Sequence, residues 1–568
     1  MQDTEKTFCR ILFDVLENKG VRNVICSPGS RNVPLLLAAS ARLSMKKHFA
    51  VDERSAAFMG LGISMVSRKP VALICTSGTA LLNYAPAVAE AYYQGIPLIV
   101  VSADRPVQWI DQDDSQTLRQ DGVLDNFVKK SYTIPSIGED LQEMQWFVNR
   151  VTNDAMTVAC SGKPGPVHIN VHLSEPLGNR KSKEEGHPRI ITSLTGDAIA
   201  NKEIIKDLAR QLSDSKVLLV AGFGFPDDML QKTVIEFSKL PNVTVMAETI
   251  SNLHLRKDSF SIDSVLTAFS EEILDENRPD IVISIGGALV SRKLKEYLRR
   301  NSHHLKHWTL GYTHTTVDPF MALSMRIETD PARFFKNINL VMRKLKISEN
   351  AISYQKDWIA LREKASEVKD NYIKNTEWSE LKALDTILKK VPSGYNLFLS
   401  NGTPIRYAQI ISYRLPHASY CNRGVSGIDG SVSTAIGGAK SYKGDTLLIT
   451  GDLSMSYDIG SLGLSDIPER MKIIVMDNQG GGIFRFIPST SSLEEREKYL
   501  CQTPNLPLKN LADGFGWEYK ECHDENELNH ILNVFFTEKK KTILRIKCDG
   551  IQSAEILKAY MNLKQKEI

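Results

Sequence analysis

Short runs of apolar residues alternate with longer stretches of helical periodicity along the whole chain. In the first third, four such runs predict strands at 24–26, 71–75, 98–101 and 167–171. Small residues at 80–93 predict one of the helices between them. A regular alternation of strand and helix is typical of parallel α/β sheets, so the pattern predicts an α/β fold.

The same alternation returns twice further along the chain. Apolar runs predict strands at 217–221, 243–247, 281–285, 397–400, 447–450, 473–476 and 542–546. A polar stretch at 178–188 predicts a linker, and a charged helical stretch at 341–378 predicts a connector. We therefore expect three parallel-sheet α/β domains, which we place at 1–180, 190–340 and 380–568.

Length and charge narrow the class of protein. A chain of 568 residues is too long for one hydrophobic core. Lys plus Arg number 70 and Asp plus Glu 67, a balance that argues against a dedicated binder of nucleic acids or membrane surfaces. No apolar run approaches the roughly 20 residues of a membrane span. The eight cysteines form no CxxC pair, and we expect buried, reduced thiols and a cytoplasmic protein.

Candidate chemistry lies just after the predicted strands, because ligands of open α/β sheets bind beyond the carboxyl ends of strands. Asp452 follows one apolar run and Asn478 follows the next, 26 residues later. Their side-chain oxygens, with the Gly480 carbonyl, suit a hard cation such as Mg²⁺ or Mn²⁺. The glycines that follow suit a phosphate. The alternative is that both residues only form turns.

A second element is Val51-Asp52-Glu53-Arg54-Ser55, where the chain enters a helix rich in small residues. One interpretation is that the two acidic residues only favour the helix N-terminus. The pairing of Gly451-Asp452-Leu453 with Asn478 resembles the motif of thiamine diphosphate enzymes, in which Leu453 replaces the third residue. In that context Glu53 is a candidate catalytic acid that hydrogen-bonds the cofactor pyrimidine.

The resemblance extends over most of the chain, from about residue 27 to residue 488. Motifs recur in order: Ser27-Pro-Gly-Ser-Arg31, Asp52-Glu-Arg-Ser-Ala-Ala57, Thr76-Ser-Gly-Thr79, Ser102-Ala-Asp-Arg-Pro106, Pro166-Val-His-Ile-Asn170, Asn422-Arg-Gly-Val-Ser-Gly-Ile-Asp-Gly430 and Asn478-Gln-Gly-Gly-Gly-Ile-Phe484. Together they resemble the 2-succinyl-5-enolpyruvyl-6-hydroxy-3-cyclohexene-1-carboxylate synthases, a family of thiamine diphosphate-dependent enzymes of menaquinone biosynthesis.

This resemblance implies a transferase that decarboxylates 2-oxoglutarate and adds the succinyl carbanion to isochorismate. It implies thiamine diphosphate and Mg²⁺ or Mn²⁺ as cofactors. It also implies a homodimer, or a dimer of dimers, with active sites between subunits. Both substrates are dicarboxylates, and guanidinium groups bind carboxylates well. We expect no nucleic-acid partner.

Individual roles follow from the resemblance, residue by residue. The expected cofactor-binding residues are Glu53, Thr79, Asn83, Ile428, Gly451, Asp452, Leu453, Asn478, Gly480, Ile483 and Phe484, with Asp452, Asn478 and Gly480 at the metal. The expected substrate-binding residues are Ser30, Arg31, Arg105, Gln116, Arg292, Lys293, Arg406, Arg423, Ile483, Phe484 and Ile487. The first four should face isochorismate, and Arg406 should hold the distal carboxylate of 2-oxoglutarate.

The chain departs from the family pattern at two places. Gly402 stands where the family often has a Ser beside the succinyl group. The order of charges in the middle-domain pair Arg292-Lys293 varies in the family.

Three alternatives stay open. Another thiamine carboligase or decarboxylase would often carry adjacent histidines, and the one such pair, His303-His304, falls in the middle domain. A nucleotide-binding module is suggested by Gly222-Phe-Gly224, although the third glycine of that motif is missing. A non-catalytic scaffold would keep the fold without the chemistry, and the presence of Glu53 and Asp452 speaks against it.

Overall fold

The computed structural model of the chain describes residues 2–136, 141–182, 188–193, 202–254, 262–411, 417–502 and 505–564. Three parallel sheets, connected by helices, follow one another along these residues. The predicted α/β fold with parallel sheets is therefore confirmed. All eleven strands predicted from apolar runs are present.

The first domain contains a six-stranded parallel sheet. The strands are Gln2–Thr4 (β1), Asn23–Cys26 (β2), Lys46–Phe49 (β3), Val71–Cys75 (β4), Leu98–Asp104 (β5), Ser131–Ile134 (β6), Val167–His172 (β7) and Arg180–Ser182 (β8). The helices are Thr7–Asn18 (α1), Val33–Ser40 (α2), Glu53–Ser67 (α3), Thr79–Asn83 (α4), Ala85–Gln94 (α5) and Leu141–Cys160 (α6). The sheet order is β3-β2-β4-β5-β7-β6, and β1 pairs with β8 antiparallel. The central strands β4 and β5 are buried throughout, which explains their continuous apolar sequence.

The second domain contains a five-stranded parallel sheet. The strands are Val217–Ala221 (β9), Val243–Ala247 (β10), Ile281–Ile285 (β11), Lys306–Leu310 (β12) and Leu323–Ile327 (β13). The helices are Lys202–Ser213 (α7), Asp228–Phe237 (α8), Ile262–Ala268 (α9), Glu271–Glu276 (α10), Arg292–Arg300 (α11) and Pro331–Met342 (α12). The sheet order is β10-β9-β11-β12-β13. A long helix, Tyr354–Asn375 (α13), then leads to the third domain, within the stretch where a connector was predicted.

The third domain again contains six parallel strands. They are Asn396–Leu399 (β14), Ala418–Tyr420 (β15), Thr446–Gly451 (β16), Met471–Asp477 (β17), Glu518–Cys522 (β18) and Thr542–Lys547 (β19). The helices are Glu380–Lys390 (α14), Thr403–Ile411 (α15), Ser431–Ser441 (α16), Asp452–Tyr457 (α17), Gly482–Phe486 (α18), Pro488–Ser491 (α19), Arg496–Tyr499 (α20), Leu508–Gly514 (α21), Glu525–Phe535 (α22) and Gly550–Met561 (α23). The order is β15-β14-β16-β17-β19-β18, the same pattern of crossovers as in the first sheet.

The first and third domains pack on each other through α3 and α16. A Cβ atom on Gly62 would lie 1.9 Å from the Thr434 carbonyl oxygen, and one on Gly437 would lie 2.1 Å from the Met59 carbonyl oxygen. Glycine at both positions therefore lets the two helix backbones approach closely. One hydrophobic core continues across this contact.

Three local predictions are wrong. The helix predicted at 80–93 is two helices, because Pro86 cannot donate a backbone hydrogen bond inside a helix and instead stands in the first turn of α5. Part of the linker predicted at 178–188 is the strand β8, while residues 183–187 lie outside the described residues. Cys160 ends α6 at the surface and is exposed, whereas the other seven cysteines are buried.

Candidate active site

Asp452 and Asn478 stand at the carboxyl ends of the neighbouring strands β16 and β17, as the spacing predicted. Both side chains are buried. The Asp452 carboxylate accepts the backbone N–H of Gly480 at 2.7 Å and that of Leu453 at 2.8 Å. These hydrogen bonds fix the carboxylate at the start of α17.

The electrostatics of this pair fit a bound cation. Burial, followed by the charge of Asp477, raises the pKa of Asp452 to about 7. Among the described residues, the buried Oδ1 atom of Asn478 has no hydrogen-bond partner. In the described part of the chain, Asp452 forms no ion pair within 4.0 Å. A cation between these two oxygens would satisfy both groups, because buried carboxylates and amide oxygens require compensation.

The turn after Asn478 needs glycine at positions 480–482. Gly480 and Gly481 have φ angles of +85° and +57°. A Cβ atom on Gly481 would lie 2.5 Å from the Leu500 carbonyl oxygen, and one on Gly482 would lie 2.2 Å from Asn478 Nδ2. The backbone therefore approaches Asn478 closely, as a diphosphate-binding turn requires.

No group of three or more His, Cys, Asp or Glu side chains in the described ranges is arranged to hold a metal ion. A cation at this site would therefore depend on Asp452, the Asn478 amide, backbone oxygens and oxygens of a phosphate ligand. That mixture of ligands is usual for Mg²⁺ bound together with a phosphate group.

Glu53 begins α3, and its neighbour Asp52 caps that helix. The Asp52 carboxylate accepts the backbone N–H of Arg54 at 2.9 Å and the hydroxyl of Ser55 at 2.9 Å. The conventional helix-start role therefore belongs to Asp52. Glu53 is partly exposed, and its charge adds to the effect of burial in raising the pKa of the Cys75 thiol. Its carboxylate thus lies near the end of β4.

Arg31 and Arg105 come together at the ends of β2 and β5. Arg31 is buried, donates to the Leu173 carbonyl at 3.0 Å and pairs with Glu175 at 3.2 Å. Burial, and then the nearby charge of Arg105, lowers the pKa of Arg31. Arg105 pairs with Asp114 at 2.6 Å, and its buried Nε–H has no acceptor in the part of the chain that the structure describes. Two neighbouring guanidinium groups form a site for an anion.

Ser30 is exposed beside this pair, and Gln116 lies in a loop that covers the turn before α4. Gln116 has a φ of +55°, and its Cα would lie 3.5 Å from a Cβ atom on Gly78. Thr79 and Asn83 are exposed on α4, where the Asn83 amide donates to the Thr79 carbonyl at 3.1 Å. These four residues therefore lie at one edge of the first sheet.

Gln120 connects the two loops of this edge and was not singled out from the sequence. Its Oε1 accepts the Gly78 N–H at 2.7 Å, and its Nε2 donates to Asn170 Oδ1 at 2.9 Å. Asn170 in turn donates to Asp104 Oδ2 at 2.8 Å, next to Arg105. All three polar side chains are buried. The network orients the loop that carries Arg105 and Gln116.

Arg406 and Arg423 form a second basic pair, at the ends of β14 and β15. Arg406 donates to the Gly402 carbonyl at 2.5 Å. Burial, followed by the charge of Arg423, lowers the pKa of Arg406 to about 10. Arg423 donates to Asn401 Oδ1 at 3.0 Å, while its buried Nε–H finds no acceptor among the residues that the structure describes. Like the first pair, these arginines lack a full set of partners.

Glu90 holds the loop that carries Arg423. Its buried carboxylate accepts the N–H groups of Gly424 at 2.6 Å and Val425 at 2.7 Å. A Cβ atom on Gly424 would lie 2.5 Å from the Glu90 carbonyl oxygen. Helix α5 of the first domain thus positions a loop of the third.

The expected middle-domain pair, Arg292 and Lys293, contacts other groups of the protein in this structure. The Arg292 side chain is 71% exposed and pairs with Glu296 of its own helix at 2.6 Å. Lys293 donates to the Met561 carbonyl at 3.2 Å. The residue of this helix that lies beside Arg423 is Lys295, because both Lys295 and Arg423 donate to the Leu289 carbonyl.

The apolar residues expected at the site are partly exposed. Ile428 is 39% exposed, and Leu453, Ile483, Phe484 and Ile487 have intermediate exposure. Core packing alone does not explain them, since core side chains of this kind are fully buried. Gly451 is also partly exposed at the end of β16.

Comparison with known proteins identifies the family. The profile described as "Thiamine pyrophosphate enzyme, N-terminal TPP binding domain" matches residues 6–123. A 2-succinyl-5-enolpyruvyl-6-hydroxy-3-cyclohexene-1-carboxylate synthase of Porphyromonas gingivalis is 38% identical over 98% of this chain and 97% of its own length. Proteins of that name from Flavobacterium psychrophilum and Bacteroides fragilis are 35% and 33% identical, covering 94% and 97% of both chains. The chain belongs to the 2-succinyl-5-enolpyruvyl-6-hydroxy-3-cyclohexene-1-carboxylate synthase family.

As a member of this family, the chain is a transferase that uses thiamine diphosphate. The nucleotide-binding alternative rested on the glycine turn at Gly222. That turn packs against the protein itself, since a Cβ atom on Gly222 would lie 2.2 Å from the Gly287 carbonyl oxygen. Among the helices of the described ranges, none combines the length and apolar character of a membrane span.

Proposed function

We propose that the chain decarboxylates 2-oxoglutarate and adds the resulting succinyl group to isochorismate in a conjugate addition, releasing CO₂, as a step of menaquinone biosynthesis. The observation that carries this proposal is the presence of two separate arginine pairs, Arg31 with Arg105 and Arg406 with Arg423. Two dicarboxylate substrates require two anion sites, and each pair retains a buried N–H group without an acceptor.

Thiamine diphosphate supplies a thiazolium ring that stabilises the negative charge left by decarboxylation. Asp452, Asn478 and the Gly480 carbonyl would hold Mg²⁺ or Mn²⁺ against its diphosphate. This assignment is supported by the unpartnered Asn478 Oδ1 and the buried Asp452 carboxylate. Gly451, Leu453, Ile428, Ile483 and Phe484 would contact the cofactor from the same domain.

Glu53 would hydrogen-bond the pyrimidine ring of the cofactor and hold a proton at N1′, with Thr79 and Asn83 beside it. The assignment is supported by the contacts at the start of α3: Asp52 caps the helix, so Glu53 is not needed for that role. Glu53 keeps a partly exposed carboxylate near the end of β4.

The arginines would divide the two substrates. Arg406 would bind the distal carboxylate of 2-oxoglutarate, and Arg31, Arg105, Ser30 and Gln116 would bind isochorismate. Arg423 would lie between them. Ile487, with Ile483 and Phe484, would form an apolar wall that excludes water from a carbanion meant for carbon–carbon bond formation.

We further propose a homodimer, alone or paired into a tetramer, with Glu53 of one subunit facing Asp452 of the other. Exposed apolar side chains near the start of α3 support this: Val51 is 81% exposed and Phe49 60% exposed. Large apolar side chains this exposed would be buried if a second subunit packed here. The eight free cysteines support a reducing compartment, and we place the enzyme in the cytoplasm.

A substrate matrix tests the function. Purified protein with thiamine diphosphate and Mg²⁺ is given 2-oxoglutarate, pyruvate or 2-oxobutyrate, each with isochorismate or without it, and products are analysed by mass spectrometry. We expect the ligated product only from 2-oxoglutarate with isochorismate. Equal use of pyruvate would contradict the role of Arg406, and absence of any ligated product would contradict the proposed reaction.

A further inference from the structure

Lys295 and Arg423 donate to the same backbone oxygen, although they belong to different domains. Lys295 Nζ lies 3.3 Å from the Leu289 carbonyl oxygen, and Arg423 Nη2 lies 3.5 Å from it. The two nitrogens can therefore be no further apart than the sum of these distances, 6.8 Å. Two cations at this separation repel each other unless an anion lies between or beside them.

The charge of Glu248 acts on both Lys295 and Arg423, but the hydrogen bonds of the nearby carboxylates go to other groups. Glu248 accepts the backbone N–H groups of Val290 at 2.8 Å and Ser291 at 2.7 Å. Asp263 accepts the Ser291 hydroxyl at 2.7 Å. In the ranges that the structure describes, neither Lys295 nor Arg423 forms an ion pair within 4.0 Å.

Arg406 belongs to the same group of charges. Burial lowers the pKa of Lys295, the charge of Glu248 opposes this effect, and the charges of Arg423, Arg299 and Arg406 add to the lowering. Three cations from two domains thus converge beside the turn at Gly402, where no side chain is present to hydrogen-bond a substrate. Such a group of cations is suited to a carboxylate with more than one charged contact.

The position on α11 distinguishes Lys295 from its neighbours. Arg292 is one turn earlier, and it is exposed and paired with Glu296. Lys293 faces the Met561 carbonyl of α23. Arg299, one turn after Lys295, donates to the Pro319 carbonyl at 2.8 Å and is exposed. Of these helix residues, Lys295 is thus the one that shares a hydrogen-bond acceptor with Arg423.

We propose that Lys295 is a substrate-binding residue of the middle domain, whose ammonium group binds a substrate carboxylate together with Arg423. The inference rests on the proposed function, because it concerns the dicarboxylates of that reaction. The shared chemistry is a carboxylate, and it can come from 2-oxoglutarate or from isochorismate. Measuring KM for each substrate with the other saturating distinguishes these two sources.

The test compares Lys295→Met with Lys295→Arg and with Arg299→Met as a matched control on the same helix. We expect Lys295→Met to raise KM for one of the two substrates about 10- to 100-fold, the range for a lost hydrogen bond to a charged group, with kcat changed much less. Lys295→Arg should recover most of the affinity. Arg299→Met removes the same charge and should leave both KM values within about twofold.

Unchanged KM values for both substrates in Lys295→Met would overturn the inference, as would an equal rise in Arg299→Met, since the effect would then be a general loss of positive charge. Thermal melting and thiamine diphosphate titration verify that each variant is folded, and Lys295→Gln replaces Lys295→Met if that variant does not fold. If the wild type makes no ligated product, the proposed function fails first and the inference fails with it. If the wild type is active, only the inference is at stake.

Discussion

Asp452 and Asn478 occupy equivalent positions at the ends of neighbouring strands but differ in how their oxygens are satisfied. The Asp452 carboxylate accepts two backbone N–H groups, at 2.7 and 2.8 Å, whereas Asn478 Oδ1 accepts no hydrogen bond from the described residues. Hydrogen bonds from neutral groups leave the charge of a buried carboxylate only partly compensated. A divalent cation would complete both residues.

The first prediction concerns this pair. Asp452→Ala should leave the fold intact and weaken metal-dependent binding of thiamine diphosphate by roughly 30-fold or more, because the diphosphate would lose its bridge to the protein. Titration calorimetry with Mg²⁺ present and absent measures this. Asp513→Ala, an exposed acid of the same domain, is the control. Wild-type cofactor affinity in Asp452→Ala would disprove the metal assignment.

The second prediction separates Glu53 from Asp52. Glu53→Gln should retain the cofactor but slow exchange of its C2 proton by at least about 100-fold, a typical contribution of general acid–base catalysis. NMR in D₂O follows that exchange directly. Asp52→Asn keeps a capping side chain at the start of α3 and should exchange at nearly the wild-type rate. If both variants exchanged equally fast, Glu53 would have no part in activation.

The third prediction concerns the contact between the first and third domains. In an exposed helix, Gly→Ala stabilises by up to about 1 kcal/mol. Here Gly62→Ala or Gly437→Ala should instead destabilise by about 1–3 kcal/mol, because the new methyl group would meet a backbone carbonyl. Denaturant melts measure the change. Gly514→Ala in α21, where a Cβ atom meets nothing within 4 Å, should be neutral or stabilising. Stabilisation at Gly62 would contradict the packing.

A fourth prediction concerns Glu248. Burial raises the pKa of its carboxyl group from the ordinary value of 4.5 to about 7, although hydrogen bonds from two backbone N–H groups act to lower it. Asp263 raises the value further and Arg423 lowers it. A carboxyl with a raised pKa in the folded state contributes stability below pH 4.5 that is lost as the pH rises through 7. In Glu248→Gln this loss should be absent, so the wild type should lose about 3 kcal/mol relative to the variant between pH 4.5 and pH 8.

Unfolding measured across that range tests the sign and the size of this effect. Asn371→Ala, an exposed substitution in α13 that removes no titratable group, should keep a constant difference from the wild type at every pH. A constant difference for Glu248→Gln as well would mean that the carboxyl titrates alike in the folded and unfolded chain.

The sequence predicted the centres of the sheets better than their edges. Central strands such as β4 and β17 are buried on both faces and read as continuous apolar runs. Four of the unpredicted edge strands, β3, β6, β13 and β18, are partly exposed and carry polar residues, as in Lys46-Lys47-His48-Phe49. Polar residues protect edges from pairing with other chains, and they also hide the strand pattern.

The candidate site divides in the same way. Residues directly after central strands, such as Asp452 and Arg105, could be located from strand ends alone. Gln120 and Lys295 could not, because their partners are distant in sequence: Gln120 contacts Gly78 and Asn170, and Lys295 shares an acceptor with Arg423. Neither a Gln in a loop nor a Lys on a charged helix has a neighbouring sequence pattern that would predict a functional role. Packing within the first domain positions Gln120, and packing of the middle domain on the third positions Lys295.

The last prediction is that the two halves of the reaction depend on different arginines. Arg406→Ala should slow CO₂ release from 2-oxoglutarate without isochorismate, because the distal carboxylate would lose its counter-charge. A truncated buried charge pair typically loses about 2–5 kcal/mol, or roughly 30- to 5,000-fold in binding. Arg31→Ala and Arg105→Ala should spare CO₂ release and abolish most ligation, since they belong to the other pair.

Single-turnover CO₂ release and mass spectrometry of the product measure the two halves separately. Arg210→Ala, an exposed residue of α7 paired with Asp207, controls for loss of one positive charge. If all three site variants slowed both halves equally, the arginines would serve one shared anion site, and the division of substrates between the two pairs would be wrong.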